Sequence, residues 1–197
     1  MKNIKTHLLS NTENFCKTNF LAHLFFTHLK GSFWKRLSDT KDNINTMIKL
    51  IRTSSDDQNF TNLVKLLDAD LAETDGTEHS FYAQFNKIDK IKHAVVVYDN
   101  EKPIGCGAMK DFTQNAMEVK RMYTLPESRG KGIATLILGG LEKWAAELLY
   151  QKCVLETGKR QPDAIALYLK NGYKIIPNYG QYIGVENSVC FEKELKS

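Results

Sequence analysis

Residues 128–136, Ser-Arg-Gly-Lys-Gly-Ile-Ala-Thr-Leu, place two cations and two glycines between an extended segment and an apolar helix. Glycine weakens a helix start, and cations crowd a helix end that already carries positive partial charge. An anion rewards this arrangement. Free N–H groups at a helix N-terminus point at it, Gly130 and Gly132 let the backbone come close, and Arg129 and Lys131 add charge. Two phosphate motifs do not apply. A P-loop needs GxxxxGK followed by Ser or Thr, and no such pair follows these glycines. A dinucleotide fingerprint needs GxGxxG after the first strand, whereas this motif follows the fourth extended segment. Taken alone, the glycine pair also suits a plain turn from loop into helix.

The junction sits in a chain that alternates extended and helical periods. Residues 47–53 alternate as a short strand, and Ser54, Ser55, Asp56 and Asp57 supply caps for a helix running to about Ala72. Phe60, Leu63, Val64, Leu66, Leu67 and Leu71 form its apolar stripe. Asp75-Gly76 predicts a turn, followed by a short helix over 81–85. Residues 92–98 and 103–112 read as a hairpin, and 116–125 as the next strand, ended by Pro126. After the glycine junction, Ile133, Leu136, Ile137, Leu141, Trp144, Ala145, Leu148 and Leu149 mark one face of a helix. Its interior Gly139-Gly140 costs on the order of 1 kcal/mol per residue against Ala, which predicts close packing there. A strand over 152–157, a helix over 163–173 stopped at Asn171-Gly172, and two closing strands complete the pattern. The fold class expected is mixed α/β, with a mostly antiparallel central sheet and flanking crossover helices.

Charge narrows the function classes. Residues 1–46 carry seven Lys/Arg and three Asp/Glu, which is the whole net charge of +4, so the remaining chain is neutral. A neutral body argues against nucleic acid as a partner, because phosphate binding needs a basic face. Cys16, Cys106, Cys153 and Cys190 show no CxxC spacing, and three of them lie in apolar runs. They read as buried reduced thiols of a cytoplasmic protein rather than as a disulfide frame or zinc site. No run reaches the roughly 20 apolar residues that span a bilayer. The division expected is an aromatic, basic extension over 1–46 and a functional domain over 47–197. The extension has three open readings: docking on the domain, contact with a membrane or partner through residues 15–37, or sequence upstream of a true start at Met47.

Arg129-Gly130-Lys131-Gly132-Ile133-Ala134 resembles the R/Q-x-x-G-x-G/A signature of the GNAT superfamily of N-acetyltransferases. "EVKRMYTLPES" before it and "LETGKRQPDAIALYLKNGYKII" after the helix resemble that superfamily's flanking elements, and the order from Met47 to Leu195 fits throughout. The resemblance implies acetyl-CoA as co-substrate and no metal. Its pyrophosphate would lie on the amides of Arg129, Gly130, Lys131, Gly132, Ile133 and Ala134. Its pantetheine arm would run along strand 116–125 near Met122 and Thr124, where that strand splays from the next. The resemblance further implies that the Met122 N–H polarises the thioester carbonyl and stabilises the tetrahedral oxyanion.

The transfer needs two proton movements. An amine must lose a proton before it attacks. Glu118 stands where many family members keep a general-base glutamate, with a pairing to Lys120 as its structural alternative. Glu156 is the second candidate, as base or as partner of the substrate ammonium. Tyr168 occupies the family's tyrosine position beside the cofactor sulfur and can donate to the leaving thiolate. Gln161 replaces a common asparagine that faces the pantetheine.

The acceptor wall is expected from residues 67–85 and 176–184. Asp68, Asp70, Glu73 and Asp75 make the first segment acidic, which would attract a cationic amine, and His79 and Tyr82 add polar groups. Tyr179 and Tyr182 would line the second. The function expected is transfer of acetyl to the primary amine of a small molecule, by direct attack in a ternary complex. A protein or peptide acetyltransferase, a non-catalytic acyl-CoA sensor, and a homodimer all stay open on sequence grounds.

Overall fold

The computed structural model describes residues 47–75 and 91–196. Residues 1–46, the side chain of Asp75, and residues 76–90, with His79, Tyr82 and the helix expected over 81–85, lie outside the described residues. The described strands are β1 (Ile48–Thr53), β2 (His93–Asp99), β3 (Lys102–Thr113), β4 (Ala116–Thr124), β5 (Lys152–Gly158), β6 (Lys174–Ile176) and β7 (Ser188–Glu194). They form one sheet in the order β1-β2-β3-β4-β5-β7-β6. Every pairing is antiparallel except β4 with β5. The helices are α1 (Gln58–Asp75), α2 (Ile133–Glu147) and α3 (Pro162–Lys170).

Helices cover both faces of the sheet, and this explains the strand composition. Ala94 and Val96 of β2 pack with Phe60, Leu63 and Val64 of α1. Val95 and Val97, pointing the other way, pack with Ile137 and Leu141 of α2. A strand buried on both sides reads as a continuous apolar run instead of an alternation. Each fully buried aliphatic side chain contributes roughly 1.5–3 kcal/mol of transfer free energy. The start of α1 is fixed by Asp57, whose Oδ1 accepts from the Phe60 amide at 2.8 Å, a side-chain cap.

Three sequence expectations shift. Helix α1 continues past Ala72 to Asp75, up to the Asp-Gly turn signal. Its Leu66 is exposed, and Leu67 and Leu71 are only partly covered because they line a cavity, Leu67 at the edge of the core as well. Helix α2 stops at Glu147, so Leu148 and Leu149 leave the stripe; Leu149 has φ 69° and is 87% exposed. Leu136 is also on the outer side. Close packing holds at one glycine of the α2 pair. A Cβ on Gly140 would stand 2.6 Å from Leu50 Cδ1, while one on Gly139 would meet nothing within 4 Å.

Candidate active site

The glycine junction folds as a single 3-10 turn, Pro126–Ser128, then an N-cap at Gly132 with φ 82°. Gly130 has φ 74°, so both glycines sit in the left-handed region that L side chains avoid. The Arg129 amide donates to the Pro126 carbonyl at 3.2 Å, and the first helical bond is Leu136 N–H to Gly132 O at 3.0 Å. The six amides between them, Gly130 through Thr135, have no backbone acceptor among the described residues. The run is thus displaced by one residue from the expected 129–134. A Cβ built on either glycine meets no atom within 4 Å, so the ground before these amides is open.

Arg129 itself turns away from this end. Its Nε donates to the Thr124 carbonyl at 3.1 Å and its Nη2 to Asp70 at 2.9 Å. Thr124 therefore offers no free carbonyl, although its buried Oγ1 has no hydrogen-bond partner. Lys131 remains on the exposed surface beside the amides.

The second feature is a parting of the sheet. β4 and β5 pair only over Ala116–Glu118 with Lys152–Val154. Beyond that point Val119, Lys120, Arg121 and Met122 on one side, and Glu156, Thr157 and Gly158 on the other, line a cavity. Leu67 and Leu71 of α1 and Gln161 and Tyr168 of α3 complete its walls. β4 carries a bulge here: Cys106 pairs with Tyr123 and Ala108 with Lys120, leaving Arg121 and Met122 outside the register. Arg121 has φ 59°, a strained conformation for a residue with a Cβ. Gly107 opposes the bulge, and a Cβ there would come within 2.8 Å of Met122 Sδ.

Tyr168 serves two structural ends at once. Its ring packs against Tyr173 and Phe191, with centroids 5.9 and 5.6 Å away, and it also lines the cavity. Burial pushes its phenol pKa up, so the group keeps its proton through neutral pH. Gln161, at the N-cap of α3, accepts from Thr157 Oγ1 at 3.1 Å, which fixes the orientation of its amide.

The two candidate carboxylates occupy different places. Glu156 lines the cavity and accepts from Ser188 Oγ at 2.6 Å. Glu118 is 2% exposed and lies behind the cavity wall. Its Oε2 pairs with Lys110 at 3.2 Å, and its Oε1 accepts from Lys120 at 3.4 Å and Tyr179 at 3.2 Å. Lys120 also donates to Tyr182 Oη at 3.2 Å. Burial lowers the Lys120 pKa, and Glu118 partly opposes that shift. Tyr179 and Tyr182 are thus brought to the Glu118–Lys120 pair, of which Lys120 lines the cavity. Burial raises both phenols.

Arg121 is a cavity residue that residue-type reasoning missed; Lys120, the expected partner of Glu118, lines the same wall. The signal was present. "EVKRMY" breaks the two-residue alternation at Lys120-Arg121, as a bulge requires. Two of the four acidic residues of α1 are ion-paired: Asp68 with Arg121 at 2.6 Å, and Asp70 with Arg129. Among the described residues, no group of three His, Cys, Asp or Glu is placed to hold a metal ion, and no helix is long and apolar enough to cross a membrane.

Known proteins share this arrangement. The chain is 37% identical over 93 residues to an IAA acetyltransferase of Azospirillum brasilense, covering 47% of this chain and 61% of that protein. It is 38% identical over 86 residues to the uncharacterized N-acetyltransferase YjgM of Escherichia coli, covering 42% of this chain and half of that one. The matches thus span between half and two thirds of these relatives' length. Among solved structures, a candidate acyl-CoA N-acyltransferase of Klebsiella pneumoniae superposes with TM-score 0.64 at 27% identity, covering 76% of this chain and 99% of that chain. The PaiA N-acetyltransferase of Thermoplasma acidophilum, solved with coenzyme A, shares the fold at 19% identity, with TM-score 0.57 and coverage of 75% and 99%. The Acetyltransferase (GNAT) family profile matches residues 60–173, from the first turn of α1 to the residue before β6, and the chain belongs to that family.

Proposed function

We propose that the protein transfers an acetyl group from acetyl-CoA to the primary amine of a small molecule, by direct attack in a ternary complex. The observation that carries this reading is the run of six amides without acceptors, Gly130 through Thr135, at the open N-terminus of a 15-residue helix. These residues fit a pyrophosphate: they are consecutive amides at a helix start, two left-handed glycines leave the approach clear, and Lys131 adds charge. The coenzyme A bound by the Thermoplasma protein of the same fold supports the assignment. Acetyl-CoA supplies an activated acyl group; the remaining work falls to this chain.

Each wall of the parted sheet then has a role. At the bulge, the Met122 N–H stands outside the β3–β4 register and serves as a donor to the acyl oxygen as negative charge develops there. Glu156 faces the cavity and takes the proton of the acceptor ammonium through a water molecule. Tyr168, kept protonated by burial, donates to the departing sulfur. Glu118, which sequence position favours as base, has both oxygens engaged by Lys110, Lys120 and Tyr179. It holds Lys120 and the 176–184 loop in place.

Release of free CoA from acetyl-CoA, measured across amino acids, polyamines, aminoglycosides and short peptides, tests this reading. Amine-dependent release is expected, and Tyr168→Phe lowers its turnover by about a hundredfold while the ring packing keeps the fold. Release dependent only on peptides would replace the small-molecule acceptor. Binding of acetyl-CoA with no release from any amine would favour an acyl-CoA sensor.

A further inference from the structure

Among the described residues of the cavity wall, Arg121 carries a buried donor without an acceptor. Arg121 is 6% exposed, and its side chain 2%. Its Nη1 donates to Asp68 Oδ1 at 2.6 Å, but its Nη2 is buried with no hydrogen-bond partner. A buried guanidinium N–H left unpaired is destabilising, and here it sits on a residue already held in the left-handed region. Two local defects at one residue of a cavity wall point to a ligand that removes at least one of them.

The surroundings define that ligand's chemistry. Guanidinium recognises a planar oxyanion through two parallel N–H donors. The neighbouring cation, Lys120, is already committed to Glu118 and Tyr182. The facing wall is anionic at Glu156, and the α1 wall is apolar at Leu67 and Leu71. A cationic wall, an anionic wall and an aliphatic roof match a molecule that carries a carboxylate, an ammonium and an apolar side chain. Asp68 is the movable half of the ion pair, since its side chain is 50% exposed while that of Arg121 is fixed in the interior.

We propose that Arg121 is a specificity residue that receives the carboxylate of the acceptor as Asp68 gives way toward solvent, so that the amine acetylated belongs to an amino acid. This deepens the acetyltransferase reading and rests on it.

Matched probes test it without relying on a variant. L-amino acids with aliphatic side chains and their carboxamides are compared for CoA release, and for thermal protection of the full chain in the presence of CoA. The acids are expected to exceed their amides by about tenfold or more in kcat/KM and in affinity. Arg121→Gln is expected to bring the ratio of acid to amide in kcat/KM down to about one. Because loss of a buried charge can unfold the chain, Asp68→Asn provides the second variant. It removes a competing negative charge at a half-exposed position and is expected to tighten the acids severalfold, raising the ratio of acid to amide. Equal use of acids and amides overturns the proposal while leaving the acetyltransferase standing. An Asp68→Asn change that weakens both alike, or an absence of any protection by amino acids, also overturns it. CoA release from amines without carboxylates separates these failures from failure of the enzyme reading.

Discussion

The Tyr179 phenol donates to Glu118 Oε1 at 3.2 Å across 61 residues of chain, and so ties the 176–184 loop to the middle of β4. The carboxylate it meets is buried and shared with Lys110 and Lys120. Breaking a buried pair by removing one partner costs about 3–5 kcal/mol, because the other charge stays behind. Glu118→Gln is therefore expected to lower stability by roughly 3 kcal/mol in urea unfolding. Turnover of the folded fraction stays within about tenfold of wild type. Glu156→Gln should do the reverse, losing about a hundredfold in turnover with little change in stability. A Glu118→Gln protein of unchanged stability and lost activity would return the base role to Glu118.

The adjacent glycines of α2 provide a contrast in sign. Gly139→Ala adds a methyl group in open space and gains helix propensity, so stability rises by about 0.5–1 kcal/mol. Gly140→Ala drives a methyl group to 2.6 Å from Leu50 Cδ1 and costs about 1–3 kcal/mol through overpacking. Thermal or urea unfolding of the two variants reads the difference directly.

Gly132 tests the anion cradle. A Cβ there meets no neighbour, but its φ of 82° strains any L side chain and puts a methyl group before the free amides. Gly132→Ala should lose about 1 kcal/mol of stability and weaken acetyl-CoA binding about tenfold. The acceptor KM at saturating acetyl-CoA should move far less. Equilibrium titration with CoA alone checks the binding part.

Alkaline stability depends on the buried thiols, and two of the three among the described residues carry the larger shifts. Burial pushes Cys106 and Cys153 up to about 12 from an ordinary value of 9.0. Their folded forms stay protonated where the unfolded chain ionises, so their contribution is intact below pH 9. It is lost as pH rises from there toward 12, at up to about 1.4 kcal/mol per pH unit for each thiol. Urea midpoints between pH 8 and about 9.5, below the ordinary tyrosine range, should fall with pH. Cys106→Ala and Cys153→Ala each flatten the slope. In the native state neither thiol should react with a disulfide reagent, being fully buried.

Periodicity made most of the architecture legible, because α1 and α2 each bury one stripe and β2 is apolar on both faces. The glycine-lined start of α2 was legible because glycine at positive φ and a helix start are both local properties. What sequence could not supply was partnership at long range. Glu118 stands at the expected position, yet Lys110 and Tyr179 come to it from other elements. The acidity of α1 suggested attraction for amines, but Asp68 and Asp70 face Arg121 and Arg129, 53 and 59 residues away. Leu67 and Leu71 continued a helical stripe that looked like core, and only the parting of β4 from β5 shows why they stay partly open.

That parting has a mechanical consequence. Most sheets are weakest at their outer edges, whereas this one has a crack in its middle, arrested where Glu118 meets Val154. Only three rungs close it, so opening one more would deepen the notch by about 3.3 Å without changing any side chain on its walls. The depth of the notch is set by where backbone pairing stops. Changes in the short segments before β4 and β5 can therefore alter that depth while leaving every named group on its walls untouched.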